Sequence, residues 1–320
     1  MKPIRFILCI IISSFGFIGV YGMLSYCGMN HLNEDNAYLC NYIEKKVRQA
    51  NTVGSPKLII IGGSSAYVGI SAKTLEASLG IPTYNFGLHA ALSTDFIFYQ
   101  AKRILRKNDI VLLSLEYSYY SYDEPTSMML NIVYGIGKSY IQTLSIKEKI
   151  HILLSQPILR IIKSNIPGFD KEFRNSVPEF GSHGDATYNL DENVTQAMRD
   201  RVHDEKGGFL FKENSNGVQA IRQFIQWAKE NNIYVIATWP NLAYKDLYQQ
   251  QDVKDNLHKV NLFYQQFNVP IVFTPYEAMF SEELFYDTSY HLTQKGVNIR
   301  TQLLIEPLRN VIHHNRKKNW

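Results

Sequence analysis

The chain has 320 residues, 45% of them apolar and 13% aromatic, with 21 tyrosines among them. That is the composition of a folded, core-bearing protein, long enough for one large domain or two small ones. A net charge of +4, with no basic stripe interleaved with aromatics, argues against nucleic acid as a partner, and the basic end "HHNRKKNW" reads as a solvated tail.

The first element lies in "MKPIRFILCIIISSFGFIGVYGM", where Lys2 and Arg5 precede an uncharged apolar run from Phe6 to Met23. As a helix, such a run crosses a hydrocarbon core of about 30 Å. A cleaved signal peptide, an uncleaved signal-anchor and a buried core helix all begin from a run of this kind. Apolarity all round, behind a basic start, disfavours the core helix. The small-x-small site at "VYG" is poor, and Tyr26 spoils the lipoprotein-like "LSYC". The favoured reading is a single-pass signal-anchor over residues 6–23 in the cell membrane. Residues 1–5 form a cytoplasmic stub, and the rest of the chain is extracytoplasmic. Residues 24–56 read as a juxtamembrane helix and linker, the helix in "HLNEDNAYLCNYIEKKVRQAN". Cys27 and Cys40 are spaced to pair in an oxidising compartment or to stay as two thiols. No CxxC, Cys/His spacing or HExxH occurs, so neither a metal nor another cofactor is expected.

From residue 57 the pattern alternates. Apolar strands read at 58–61, 83–86, 110–115, 234–238 and 271–273, and helices at 72–79 and 94–105. "VQAIRQFIQWAKENN" supplies a further crossover helix. Strand, helix, strand with short loops predicts an α/β fold, a parallel sheet of about five strands between two helical layers. Residues 119–216 interrupt the series. Their first half, from Met128 to Asn165, is helical in pattern, and the second, "NSVPEFGSHGDATYNLDENV", is rich in turn residues. The expectation is a helical insertion with a long loop at one edge of the sheet, inside a single domain over 57–320.

The candidate site begins with "IIIGGSSAYVGIS". Ser64 follows the first strand of the domain, at the end where parallel sheets bind ligands. The glycines allow a sharp turn with exposed N–H groups, so the motif alone fits a strand-ending turn, an anion nest or a presented nucleophile. "LFYDTSYHLTQKG" near the far end adds Asp287 and His291, four residues apart. A serine hydroxyl needs a base with a suitable pKa, and the imidazole needs a carboxylate to fix its tautomer. Weaker candidates are His89, His183 and Asp185 in "SHGDATYN", Trp239 and Asn241 in "TWPN", and the sequon at Asn193.

Taken in order, "IIIGGSSAYVGIS", "YNFGLHAAL" and "FYDTSYHLTQKG" resemble the serine, glycine and Asp/His blocks of the SGNH (GDSL-like) hydrolases. The resemblance spans roughly 57–304 without the insertion and implies their three-layer, flavodoxin-like sheet. It makes Ser64 the nucleophile, His291 the base and Asp287 its orienting acid, with the N–H groups of Ser64 and Gly87 in the oxyanion hole. The sequence departs from the family at three points. Gly63 stands where Asp is usual, Asp and His are four residues apart rather than three, and Glu116 stands about where the GxND asparagine belongs. Degenerate third blocks of that kind resemble those of SGNH-like polysaccharide O-acyltransferases. The near-match of "GGSSA" to the GxSxG elbow of α/β-hydrolases is the rival, but that elbow follows several strands rather than the first.

The resemblance implies a membrane-anchored serine esterase or O-acyltransferase acting on O-acyl (acetyl) esters of cell-envelope polysaccharide. His89, Glu116, Trp239 and Asn241 would contact the acylated glycan. The alternative is a glycan-binding or assembly protein of the same fold that has lost activity.

Overall fold

A computed structural model describes residues 2–169, 171 and 179–319; side chains are described from residue 3 to residue 315. Met1 of the expected stub, residues 175–178 of the turn-rich stretch and Trp320 of the tail lie outside them. The chain opens with helices α1 (Lys2–Cys27) and α2 (Ala37–Thr52). Strand β1 (Leu58–Gly62) runs into the short α3 (Ser64–Tyr67), then come α4 (Ala72–Leu79), β2 (Thr83–Gly87), α5 (Thr94–Lys102) and β3 (Ile110–Ser114). The helices α6 (Ser127–Ile136), α7 (Lys138–Ile141), α8 (Ile146–Leu154) and α9 (Ile158–Ser164) follow. The remainder is α10 (Gln196–Asp204), α11 (Asn216–Glu230), β4 (Tyr234–Thr238) and β5 (Leu242–Ala243), then α12 (Gln251–Gln266), β6 (Ile271–Val272), β7 (Met279–Phe280) and α13 (Gln294–Asn319). The basic tail thus continues α13 through Asn319. The juxtamembrane helix starts at Ala37, because an Asn33–Asn36 turn precedes it.

The chain divides into two compact units. One joins Met1–Glu44 to Pro125–Pro178, and the other joins Lys45–Glu124 to Glu179–Trp320. The helical half of the interruption therefore does not join the sheet domain as expected; its α6–α9 group with α1 and the start of α2. The second half, from Glu179, belongs to the sheet unit.

In the first unit, α1 is long and apolar enough to cross a membrane over Pro3–Cys27, with mean hydropathy 2.2 and none of that window buried. Its last turns lie against α8, where the Tyr21 hydroxyl donates to the Gln156 carbonyl. Asn165 Nδ2 donates to the Leu24 carbonyl at 3.1 Å. Cys27 is exposed and Cys40 buried, both as free thiols. The Cys40 sulfur packs where Gly135 lacks a side chain, and burial pushes its pKa up.

In the second unit, a five-stranded parallel sheet has the order β2–β1–β3–β4–β6. Alternate strand residues face opposite helical layers. Leu58, Ile60, Leu112 and Ile236 pack with Leu75 of α4 and Leu304 and Leu308 of α13. On the other face α5 and α11 cover the sheet, with the Phe98 and Phe224 rings stacked at 4.2 Å. Ser215 caps α11, accepting from the Val218 N–H, and sends its buried face of Val218, Ile221, Phe224 and Ile225 inward. Burial on both faces is why β1 and β3 read as nearly unbroken apolar runs, while the edge strand β2 carries Thr83 and Asn85. Before β3, β4 and β6 the chain turns through Asn108, Asn232 and Asn268, each at positive φ, which asparagine tolerates better than other side chains.

Candidate active site

In a parallel sheet the binding crevice opens where strand order reverses, beyond the carboxyl ends. β1 has β2 on one side and β3 on the other, so the reversal falls between β1 and β3. Gly62 ends β1 and pairs with Ser114 at the end of β3 and Gly87 at the end of β2. Ser64 and Glu116 therefore each lie two residues beyond the strands that form the crevice.

Ser64 opens α3 and is partly exposed, while Gly63 and Ser65 on either side are buried. The Gly63 N–H donates to Glu116 Oε2 at 3.0 Å and the Ser65 N–H to Glu116 Oε1 at 2.7 Å. The turn is thus an anion nest, and in this conformation the chain's own Glu116 carboxylate fills it. A Cβ at position 63 would strike both Glu116 oxygens and the Tyr119 hydroxyl. Gly63 and Glu116 are therefore complementary: the carboxylate from beyond β3 fills the space that a side chain at 63 would take.

Glu116 is 1% exposed. Burial raises its pKa, while the N–H groups of Ser65 and Gly63 and the charge on His291 pull the other way. Arg300 of α13 is also buried. It donates to Ser114 Oγ at 3.0 Å, to the Trp239 carbonyl at 2.8 Å and to Asn241 Oδ1. Desolvation lowers its guanidinium to about 9, against the favourable charge of Glu116.

Asp287 and His291 come from a loop that closes on itself. The Tyr286 N–H donates to the His291 carbonyl at 2.7 Å, the His291 N–H to Thr288 at 3.3 Å, and the Thr293 N–H to Leu284 at 2.8 Å. An antiparallel bridge joins Phe285 to Leu292. Closure turns the four-residue separation into contact, and His291 Nδ1 donates to Asp287 Oδ1 at 2.7 Å. Asn241 Nδ2 secures this loop through the Tyr290 carbonyl, and the Ala243 N–H through Ser289. The other end of Asn241, its Oδ1, lies against Gly69, as does the Ser65 carbonyl.

His291 is within electrostatic reach of Glu116, which grips both neighbours of Ser64, and of His89. The Asp–His pair thus lies within electrostatic range of the carboxylate that grips the residues on either side of Ser64. No hydrogen bond joins Ser64 to His291 among the described residues. The Ser64 N–H likewise has no partner among them, but the Gly87 N–H donates to Asn85 Oδ1 at 2.9 Å. His89 is half-buried; its Nδ1 accepts from the Ala91 N–H, and burial, then the charge on His291, lower its pKa.

Three of the expected substrate contacts are not surface groups. Glu116, Trp239 and Asn241 are enclosed because the first fills the nest, the second packs edge-on to Tyr117 and the third bridges Arg300 to the His291 loop. Of the four, only His89 is partly open to solvent. Asp185 is not a solvated loop residue: its carboxylate caps α4 through the N–H groups of Ala72 and Lys73 at 2.8 and 3.1 Å. His183 gives its carbonyl to the Asn85 N–H. Asn193 is exposed.

Two buried cations near the crevice, Lys46 and Arg300, have no distinguishing signal in the sequence. Lys46 Nζ donates to the carbonyls of Asn85, Gly87 and Gly184 at 2.9, 2.8 and 2.9 Å. Burial drives its pKa well down, with Asp185 opposing. Asn85 Nδ2 in turn holds the carbonyls of Ala66 and Ile70. Among the described residues no group of three or more His, Cys, Asp or Glu could hold a metal ion. No protein-family model and no curated protein sequence matches this chain.

Proposed function

We propose that this chain is a membrane-anchored, serine-dependent ester hydrolase or O-acyltransferase of SGNH type. It acts outside the cytoplasm on O-acyl esters of cell-envelope polysaccharide. The observation that carries the reading is the 2.7 Å Asp287–His291 pair, in electrostatic reach of the carboxylate that brackets Ser64. Asp287 fixes the His291 tautomer with Nδ1 protonated, leaving Nε2 as the base.

His291 takes the Ser64 proton as Oγ attacks the ester carbonyl. The Ser64 N–H meets the tetrahedral oxyanion. As that intermediate collapses, the leaving alcohol recovers the proton from His291, and an acyl-serine remains. Water gives hydrolysis and a sugar hydroxyl gives transfer, His291 again accepting the proton. For Gly87 to contribute its N–H, that group must first leave Asn85 Oδ1 at the end of β2. Envelope glycan is the favoured substrate because α1 has the length and apolarity of an anchor behind a basic start.

The second reading, a glycan-binding or assembly protein without turnover, is favoured by the engaged Gly87 N–H and by Glu116 in place of an oxyanion donor. The full chain in detergent, treated with a fluorophosphonate probe, separates the two. Covalent labelling of wild type that disappears in Ser64→Ala, with both variants folded, supports the enzyme. An unlabelled but folded wild type supports the binder.

A further inference from the structure

The helices α8 and α9 are apolar on both sides. Ile152 and Ile161 are buried inward, yet Ile146, Ile150 and Leu154 along α8 are exposed, as are Ile158 and Ile162 on α9 and Ile166 just past it. Each exposed set repeats every fourth residue, so it forms a stripe along one side of its helix. A surface helix ordinarily turns charged residues to water opposite its core face. Here stripes of isoleucine and leucine face outward on both helices, beside the exposed Lys147, Glu148 and His151, and they mark a contact surface.

We propose that α8 and α9 lie in the boundary between headgroups and acyl chains of the bilayer that α1 enters, with these stripes against lipid. The proposal rests on α1 being membrane-embedded and is independent of any activity at Ser64. Three observations point to lipid as the occupant. The surface adjoins α1, whose side chains are exposed from Pro3 to Val20 and whose last turns meet Gln156 and Asn165, just past α8 and α9. The contact is at the right depth: from Phe6 to Tyr21 a helix rises about 22 Å, which puts Tyr21 near the far edge of a core about 30 Å thick. The charge also fits: Arg160 is paired with Asp35 at 3.0 Å, and the remaining Lys147, Lys149 and Lys163 accompany Glu148 alone among the acidic residues of 146–166, a balance that suits anionic headgroups. With nine and seven residues, α8 and α9 are too short to span. They lie on the membrane, as amphipathic interfacial helices do.

The test uses the full chain in nanodiscs of phosphatidylethanolamine and phosphatidylglycerol, with nitroxide labels on single cysteines. In a background with the three native cysteines replaced by alanine, labels are placed at Ile150→Cys, Ile162→Cys and Ser155→Cys. A fourth variant keeps Cys9, in the N-terminal third of α1 and inside its apolar run. Collision with oxygen, which partitions into lipid, is compared with collision with a water-soluble nickel chelate. The expected result is an oxygen-to-nickel ratio several-fold higher at 150, 162 and 9 than at 155. Ratios at 150 and 162 equal to that at 155, with Cys9 in lipid, overturn the lipid contact while leaving the anchor intact. A nickel-accessible Cys9 overturns the anchor and the proposal with it. Shielding of 150 and 162 from both reagents, with spin–spin broadening, overturns it in favour of a second copy of the chain.

Discussion

The two loops that bring Ser64 and His291 to the crevice are held by different means. Residues 63–67 are gripped from outside by Glu116, by Asn85 and, through Gly87, by Lys46, all from other parts of the sequence. Residues 286–292 close on their own backbone and are fixed to their surroundings by Asn241, Ala243 and Glu205 and by the Tyr286 ring against Tyr188. A loop of the first kind depends on buried polar groups whose loss is costly. A loop of the second kind can lose a side chain and keep its shape.

That contrast can be broken or sharpened by substitution. The largest effect belongs to Asp287→Asn. It should cut ester turnover on the order of 10⁴-fold by spoiling the His291 tautomer, while the melting temperature stays within a few degrees because the pair is partly exposed. Turnover of a p-nitrophenyl ester beside a thermal melt measures both, and a large loss of stability would erase the distinction between the loops.

Glu116→Ala should act the other way round, on the fold first. It leaves two buried N–H groups without an acceptor, at a cost of about 2–4 kcal/mol, readable as a lower urea midpoint. A variant as stable as wild type would mean that the serine loop holds itself.

The smallest effect is a pH dependence. Because the folded pKa of Glu116 is raised from 4.5, the native state keeps a proton that the unfolded chain releases. The stability this contributes is complete below 4.5 and is lost as pH rises through the folded value. Glu116→Gln should therefore flatten the fall in urea midpoint above that pH; an unchanged slope would assign the fall to other groups.

The same contrast explains what could be read in advance. The central strands of the sheet were legible because burial on both faces makes them apolar runs such as "LIII", and the edge strands because they fall in step with the alternation of strand and helix. The Asp287–His291 pair was legible because its contact is local. The Glu116 clamp was not, since nothing near 116 indicates that its carboxylate meets N–H groups some fifty positions earlier. Lys46 and Arg300 sit in helical stretches where a cation is ordinarily a solvated face, and only tertiary packing places them inside. The grouping of α6–α9 with α1 was hidden for a similar reason: apolar helical periodicity says that a face is covered, not by what. The helix α12 begins "QDVKDN", too polar at its start to announce the buried face of Val253, Leu257 and Val260.

The triple hydrogen bond of Lys46 has a further effect at the margin of the sheet. β2 is an edge strand, and its outward carbonyls at Asn85 and Gly87 are both taken by one ammonium group, while the outward N–H of Asn85 is taken by His183. The opposite margin, β6, is only two residues long. Neither flank offers the row of vacant peptide groups that strand-by-strand association requires, so recruitment of a stray extended peptide, or fibril growth from the native fold, has nowhere on this sheet to begin.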